Sequence, residues 1–216
     1  MTADIIPFNP LDTKNLGALV AEALLSRKAY PLGGLLEFKG AGIYAIYYVG
    51  EFPAYAEIAR HNRDGGFTTP IYVGKAIPAG ARKGGGMGIG MVGKPLCNRL
   101  SEHAESINNA ENLDIVDFFC RFLVVEDIWI PLGESLLIAR YSPIWNSLVD
   151  GFGNHDPGGG RYNGMRPRWD VLHPGRSWAA RCRERPETTD DIARDIETYL
   201  RNSTFTASDR FIGIGE

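Results

Sequence analysis

Two short apolar segments, each marked by a glycine and a tyrosine, most strongly constrain the fold of this chain. They are GIYAIYYVG at 42–50 and PIYVGKA at 70–76. Both are rich in β-branched and aromatic residues and are bounded by turn-forming residues, which is typical of β-strands. Tyr44 and Tyr72 therefore predict two phenols presented from neighbouring strands.

The rest of the chain predicts helices and one further strand. The segment DFFCRFLVV at 117–125 has the same β-rich character. Apolar residues recur with helical spacing in several other segments. Some of these segments begin with an Asp or Thr that can cap a helix, or with a Pro that suits the first helical turn. The predicted helices lie at about 12–30, 53–62, 95–108, 131–141 and 188–202. Residues 78–94 consist largely of glycine and other small residues with a few basic ones, which predicts a loop. Residues 150–174 are expected to be mostly irregular.

The composition is that of a globular protein with room for one domain and its elaborations. Of 216 residues, 44% are apolar and 23% are charged. No apolar run approaches the roughly 18 residues of a membrane span, and the N-terminus lacks the pattern of a signal peptide. We therefore expect a cytoplasmic protein without membrane association. Cys97, Cys120 and Cys182 are too few and too scattered to predict a disulfide framework or a zinc site.

Charge is unevenly distributed along the chain. The net charge of −3 argues mildly against a nucleic-acid partner. Residues 75–103, however, hold five basic residues against one glutamate, and residues 161–185 hold seven arginines against two carboxylates. These two basic segments can form a face that follows a phosphate backbone. Ordinary solvated surface charge is the alternative interpretation.

Polar residues downstream of the two strands complete an ordered motif. The triplets are GIY at 42–44 and YVG at 72–74. The polar residues that follow them are Arg99, His103, Glu134 and Asn146. This ordered set resembles the GIY-YIG nuclease family, whose members hydrolyse DNA phosphodiester bonds with a metal ion.

The resemblance implies an α+β fold in which helices flank a small three-stranded antiparallel sheet. The catalytic core is expected at 40–148 and includes the basic loop 78–94. A helical extension is expected at 1–39, and an irregular DNA-contacting segment with a C-terminal helix at 149–216.

Several details resemble the restriction endonuclease branch of the family. They are GKA after the second triplet, the Arg-x-x-x-His pair at 99–103 and the tract PIWNSLVDGFGNHDPGGGR. Many other family members carry tyrosine where this chain has His103. This resemblance implies a bacterial type II enzyme that cuts both strands of duplex DNA at a short, GC-rich palindrome such as CCGCGG. Its functional partner in the cell would be a DNA methyltransferase.

The resemblance also assigns roles around the reacting phosphate. Glu134 is expected to bind one Mg²⁺ per site, with Mn²⁺ able to substitute, because magnesium commonly uses one or two protein carboxylates and keeps its waters. Arg99 is expected to contact phosphate oxygens in a bidentate manner. His103 lies one helical turn later and can relay a proton or orient a tyrosine.

The remaining motif residues are expected to activate or position the attacking water and to maintain the arrangement of the site. Tyr44 is the expected general base and Tyr72 the expected water- or phosphate-positioning group, although the sequence leaves these two assignments interchangeable. A phenol needs nearby positive charge to act as a base at neutral pH. Asn146 is expected to hold the site through its side-chain amide.

Basic side chains and helices supply the expected contacts beyond the site. The candidate DNA-binding residues are Lys75, Arg82, Lys83, Lys94, Arg161, Arg166, Arg168 and Arg176. One metal carboxylate reaches one phosphate at a time, so cutting a palindrome predicts a homodimer with the symmetry of the DNA. The apolar stripes of helices 12–30 and 188–202 offer surfaces for it, or else pack within the subunit.

Other functions fit the sequence less well. A repair or homing nuclease of the same family usually carries further DNA-binding domains, and a catalytically silent DNA-binding module would be expected to lack Glu134 or Arg99. The G-x-G-x-x-G match at 88–93 does not immediately follow a strand, which argues against a dinucleotide-binding oxidoreductase. Three adjacent polar residues at 154–156 are weak support for a second metal site.

Overall fold

An antiparallel sheet in the order β1-β4-β2-β3 forms the centre of the computed structural model, which describes residues 9, 11–77, 93–156, 158 and 162–202. The strands are β1 Tyr30–Pro31, β2 Gly42–Tyr48, β3 Tyr72–Ala76 and β4 Phe118–Val124. The three predicted strands are confirmed as β2, β3 and β4, and β1 adds a two-residue fourth strand beside β4. The predicted α+β class is confirmed.

Seven α-helices surround the sheet within the described ranges. They are α1 Thr13–Leu25, α2 Ala56–Asn62, α3 Pro95–Asn108, α4 Ile130–Tyr141, α5 Ile144–Ser147, α6 Arg168–Leu172 and α7 Thr189–Asn202. The prediction for α3 is confirmed at both ends. α1 ends five residues earlier than the predicted limit of Tyr30, and α6 lies in a stretch that was expected to be irregular.

The two faces of β2 supply two separate cores, and this explains why every residue of the strand is buried. Tyr44, Ile46 and Tyr48 pack on one face with Trp145, Trp169 and residues of α7. Ile43, Ala45 and Tyr47 pack on the other face with residues of α1 and α4. Because side chains alternate along a strand, the predicted catalytic tyrosine of β2 points toward the first core.

The helices considered as dimer surfaces pack against their own subunit. Ala21 and Leu24 of α1 are buried in the core that includes α4, and a Cβ added at Gly17 would lie 1.8 Å from Leu136. Ile192 and Ile196 of α7 are fully buried in the core that contains Tyr44. The buried residues of both stripes therefore pack within one chain, whereas Leu19 of α1 is 61% exposed. No helix in the ranges given above is long and apolar enough to cross a membrane.

Candidate active site

Three ring systems from different elements meet on one face of the sheet. Tyr44 Oη lies 2.6 Å from Nε2 of His103, which is on α3. The ring centroid of Tyr72 lies 6.2 Å from that of Tyr44 and 5.2 Å from that of His103. Tyr44 and His103 are buried, and Tyr72 is half-buried. The sequence motif thus brings both tyrosines and the histidine into one cluster.

The glycines of the two triplets make this cluster possible. Gly42 faces β4 so closely that an added Cβ would lie 1.9 Å from the backbone oxygen of Leu123. Gly74 is paired with Tyr44 across the β2–β3 ladder. A Cβ at Gly74 would lie 2.4 Å from the Tyr44 hydroxyl, so the phenol can reach His103 only if this position has no side chain.

Burial sets the protonation states of the cluster. Desolvation raises the pKa of Tyr44 well above its usual range, and the charge of Arg99 opposes this effect. The pKa of Tyr72 is raised for the same reason. Desolvation, followed by the charge of Arg99, lowers the pKa of His103 well below its usual value. At neutral pH both tyrosines are protonated and His103 is neutral. Tyr44 donates to His103 Nε2 in the tautomer that carries the imidazole proton on Nδ1.

Arg99 brings a positive charge to the edge of this cluster. Its Nη1 donates to Glu102 Oε2 at 3.0 Å and also contacts His155 Nε2, while Nη2 donates to the Gly153 carbonyl at 2.7 Å. Its side chain is 20% exposed. A Cβ added at Gly153 would lie 2.7 Å from Tyr72 Oη and 3.1 Å from Arg99 Nη2, so the phenol and the guanidinium converge on one point.

Glu134 lies on α4 beside the same cluster. Its carboxylate is 2.6 Å from the ammonium group of Lys75 on β3, and its side chain is 16% exposed. Burial, and to a smaller extent the negative charge of Glu134, raises the pKa of both Tyr44 and Tyr72. Lys75, predicted as a DNA-binding residue, is 36% exposed and neutralises this carboxylate in the free protein.

The donor set at Glu134 fits a magnesium ion that uses few protein ligands. Mg²⁺ is commonly held by one or two carboxylates together with waters and substrate phosphate oxygens. The described residues contain no group of three or more His, Cys, Asp or Glu that could hold a metal by themselves. A single half-buried carboxylate that already contacts a cationic group suits this mode of binding.

Asn146, on α5, holds β3 in place at the residue after Tyr72. Its Oδ1 accepts from the backbone N–H of Val73 at 2.8 Å, and its Nδ2 donates to the Val73 carbonyl at 2.8 Å. The amide thus pairs with the outer edge of β3 as a further strand would.

Two arginines that were predicted to contact DNA are held inside the protein. Arg176 has a 3% exposed side chain and forms a bidentate ion pair with Asp170 at 2.7 and 2.6 Å. Arg168, with a 10% exposed side chain, donates to the Leu148 carbonyl and pairs with Glu187 and Asp195. Because their donors are already bound to protein groups, these positions do not agree with a direct role in reading DNA.

The other predicted DNA-binding residues divide into two groups. Two lie in the described part of the chain and contact protein groups. Arg166 donates to the Ala179 carbonyl at 3.1 Å, and the 37% exposed side chain of Lys94 forms an ion pair with Glu37. The remaining three lie outside the described residues; they are Arg82, Lys83 and Arg161.

The structure also shows site residues that sequence reasoning missed. Phe152 stacks on the His103 ring with centroids 4.5 Å apart and an interplanar angle of 15°. Gly153 and His155 contact Arg99. All three lie in the tract after Asn146 that resembles the restriction endonuclease branch. This resemblance was the one sequence feature that pointed to the segment. Their contacts to α3 are long-range and have no periodic signature.

A second buried histidine belongs to a structural network. His173 Nδ1 lies 2.8 Å from Asn112 Oδ1, and its Nε2 lies 2.7 Å from Tyr55 Oη, which also accepts from Trp145 Nε1 at 2.8 Å. Asn112 donates its own amide to the Leu172 carbonyl, which orients it as an acceptor toward His173. Desolvation lowers the pKa of His173 to about 3, so it is neutral near pH 7.

Comparison with known families agrees with this geometry. The family described as the Eco29kI GIY-YIG domain matches residues 36–200, which include both triplets and all four polar motif residues. A search of curated proteins found no match. The matched region covers more than half of the chain. The protein therefore belongs to the Eco29kI GIY-YIG family and is a nuclease of the restriction endonuclease type.

Proposed function

We propose that the protein is a magnesium-dependent type II restriction endonuclease that hydrolyses both strands of duplex DNA at a short palindrome. The observation that carries the proposal is the convergence of two phenols, a neutral histidine and an arginine beside one acidic residue. Phosphodiester hydrolysis needs a proton acceptor for water, positive charge at the phosphate and help for the departing 3′ oxygen. This cluster offers groups for the first two requirements.

Tyr44 is the proposed general base, with His103 as the acceptor of its proton. A phenol with a raised pKa does not ionise alone at neutral pH. It can take a proton from water while its own proton moves 2.6 Å to Nε2 of His103. Burial and the charge of Arg99 lower the pKa of His103, which keeps the imidazole neutral in the free protein but makes it a weak proton acceptor there. The negative charge of a bound phosphate then favours protonation of His103.

Arg99 is the proposed phosphate-binding group, and Tyr72 is the proposed positioning group for water or phosphate. The Arg99 guanidinium donates to Glu102 and to the Gly153 carbonyl, and its charge acts on both phenols. A planar guanidinium can contact two phosphate oxygens at once. Tyr72 is the more accessible phenol, so its hydroxyl is available to a molecule entering the site.

Glu134 would hold the divalent cation, and Lys75 would then be released from its ion pair. When bound, the cation supplies Lewis-acid stabilisation of the negative charge that develops on the phosphate. Lys75 lies on β3, three residues after Tyr72, so a released ammonium group can contact the DNA backbone near the scissile phosphate.

Exposed basic residues at the rim are the proposed DNA contacts. Arg181 is 54% exposed, stacks on Tyr162 at 4.2 Å and bonds to Asp156 at 3.0 Å. It lies near an open depression of about 390 Å³ that is lined in part by His155 and Trp178. An arginine presented in a fixed plane suits bidentate contact with guanine, in keeping with a GC-rich site such as CCGCGG. The loop 78–94 would add backbone contacts.

Incubation of the purified protein with Mg²⁺ and a sequenced plasmid, followed by mapping of the ends, tests this function. We expect paired cuts in both strands at one short palindrome. Preference for branched or flapped DNA would favour the repair-type alternative, and binding without cleavage would favour a silent DNA-binding module. Light scattering of the complex with a cognate duplex is expected to show two subunits per site. One subunit that cuts both strands in a single binding event would contradict the homodimer.

A further inference from the structure

The segment 151–155, here called the 151–155 loop, wraps around the guanidinium of Arg99. The Gly153 carbonyl accepts from Arg99 Nη2 at 2.7 Å, and His155 Nε2 contacts Arg99 Nη1. Glu102 accepts from the same Nη1 at 3.0 Å on the other side. One loop therefore supplies two contacts to the group that we propose binds phosphate.

The buried side chain of Arg176 holds the backbone of this loop in place. Its Nη1 donates to the carbonyls of Phe152 and Asn154, each at 3.1 Å, and its Nη2 donates to the Gly151 carbonyl at 2.9 Å. The buried carboxylate of Asp170 holds the same guanidinium. A buried arginine with several carbonyl acceptors and a paired carboxylate fixes the backbone of a loop that has no regular structure.

The loop is also packed on the catalytic rings and on α6. Phe152 stacks on His103, and Gly151 has φ +104° with its Cα so close to Pro167 that an added Cβ would lie 2.1 Å away. The guanidinium of Arg176 lies 4.4 Å from the Trp169 ring and 4.8 Å from the Trp178 ring. These contacts leave the loop little freedom, so the position of Gly153 and His155 is determined by the fold.

We propose that His155 is a positioning residue for Arg99 and that the 151–155 loop is the clamp that presents it. His155 Nε2 accepts from the guanidinium only when it carries no proton. With Gly153 and Glu102, it fixes the plane of the guanidinium beside the tyrosine cluster. This inference rests on the proposed function, since Arg99 matters to catalysis as the phosphate-binding group.

The position of His155 makes it suitable for a mutational test. Its side chain is 62% exposed, so its removal leaves no buried cavity. Arg176 and Asp170 lie inside the protein, and their replacement risks unfolding. Glutamine can keep an acceptor near the position of Nε2, whereas alanine cannot. His61, a partly exposed histidine on α2, gives a matched control.

Single-turnover cleavage with enzyme in excess separates positioning from binding. We expect His155→Ala to lower the cleavage rate about 10-fold, the scale of one charge-assisted hydrogen bond, with the Kd for duplex DNA changed less than about 2-fold. His155→Gln should stay within about 3-fold of the wild-type rate, and His61→Ala should match the wild type. In an Arg99→Lys background, His155→Ala should change the rate less than about 2-fold.

The Arg99 side chain also gives a reading that does not depend on cleavage. A guanidinium held on both sides rotates slowly, so its Nη–H signals should be resolved by ¹⁵N NMR in the wild type and in His155→Gln. They should be averaged in His155→Ala. If the wild type cleaves no duplex DNA, the proposed function fails while the NMR result still decides the clamp. Unchanged Arg99 signals in His155→Ala, or an equal loss of rate with and without Arg99, would overturn the proposal.

Discussion

Buried His173 gives the fold a dependence on pH that can be calculated. Its side chain is fully buried and its pKa is lowered to about 3, whereas an unfolded histidine titrates near 6.5. Below pH 6.5 the unfolded chain binds a proton that the folded chain does not, so the free energy of unfolding falls as the pH falls. A pKa difference of this size gives a loss of about 3 kcal/mol at pH 4.5.

Urea denaturation of the wild type and of His173→Gln at pH 7.0 and pH 4.5 tests this value. We expect the wild type to lose about 3 kcal/mol more than the variant over this interval, whatever the stability of the variant at pH 7. His103 adds to the loss in both proteins because its pKa is also lowered. An equal loss in the two proteins would refute the reasoning. If the variant does not fold, NMR titration of His173 should show no protonation above about pH 4.

Three further substitutions test separate parts of the site. Arg99→Lys should lower the single-turnover rate about 100-fold, because an ammonium group does not reproduce bidentate phosphate contact. Asn146→Ala removes both hydrogen bonds to Val73, so thermal denaturation should show a loss of about 2 kcal/mol, and cleavage should slow. Gly74→Ala places a Cβ against Tyr44 and should cost about 1–3 kcal/mol in urea denaturation together with the loss of cleavage.

The central strands and α3 could be predicted because their signals are local. Alternation of β-branched and aromatic residues between glycines marks β2 and β3, and Pro95 marks the start of α3. The tyrosines and His103 follow from the ordered motif, and the ladder that pairs Tyr44 with Gly74 brings them together. Local pattern and motif order were therefore sufficient for the frame of the site.

The roles of the arginines could not be predicted from the sequence. A high count of arginine between 161 and 185 suggested a DNA-binding surface, but Arg168 and Arg176 bind carboxylates and carbonyls inside the fold. Whether an arginine finds an internal partner depends on tertiary contacts, which have no period along the chain. Arg181, which is exposed, has the same local composition around it.

The surfaces against which the terminal helices α1 and α7 pack also could not be predicted from the sequence. The apolar stripes of α1 and α7 indicate that each helix buries one face, and this is correct. The pattern does not state which surface covers that face. The structure shows that α1 packs on α4 and that α7 packs in the core that contains Tyr44. Most of both stripes is therefore covered within the subunit, and Leu19 of α1 stays 61% exposed.

The most direct test of the account is cleavage and binding by Glu134→Gln. The substitution removes the negative charge of the proposed metal ligand with little change in volume, so duplex DNA should still bind with about the wild-type Kd. Glu105→Gln, an exposed site on the same enzyme, is the control and should cleave normally. We predict that the wild type and the control cut duplex DNA in Mg²⁺. Glu134→Gln should cleave at least about 100-fold more slowly than the wild type. Wild-type cleavage by Glu134→Gln would contradict the assignment of this carboxylate to the reaction.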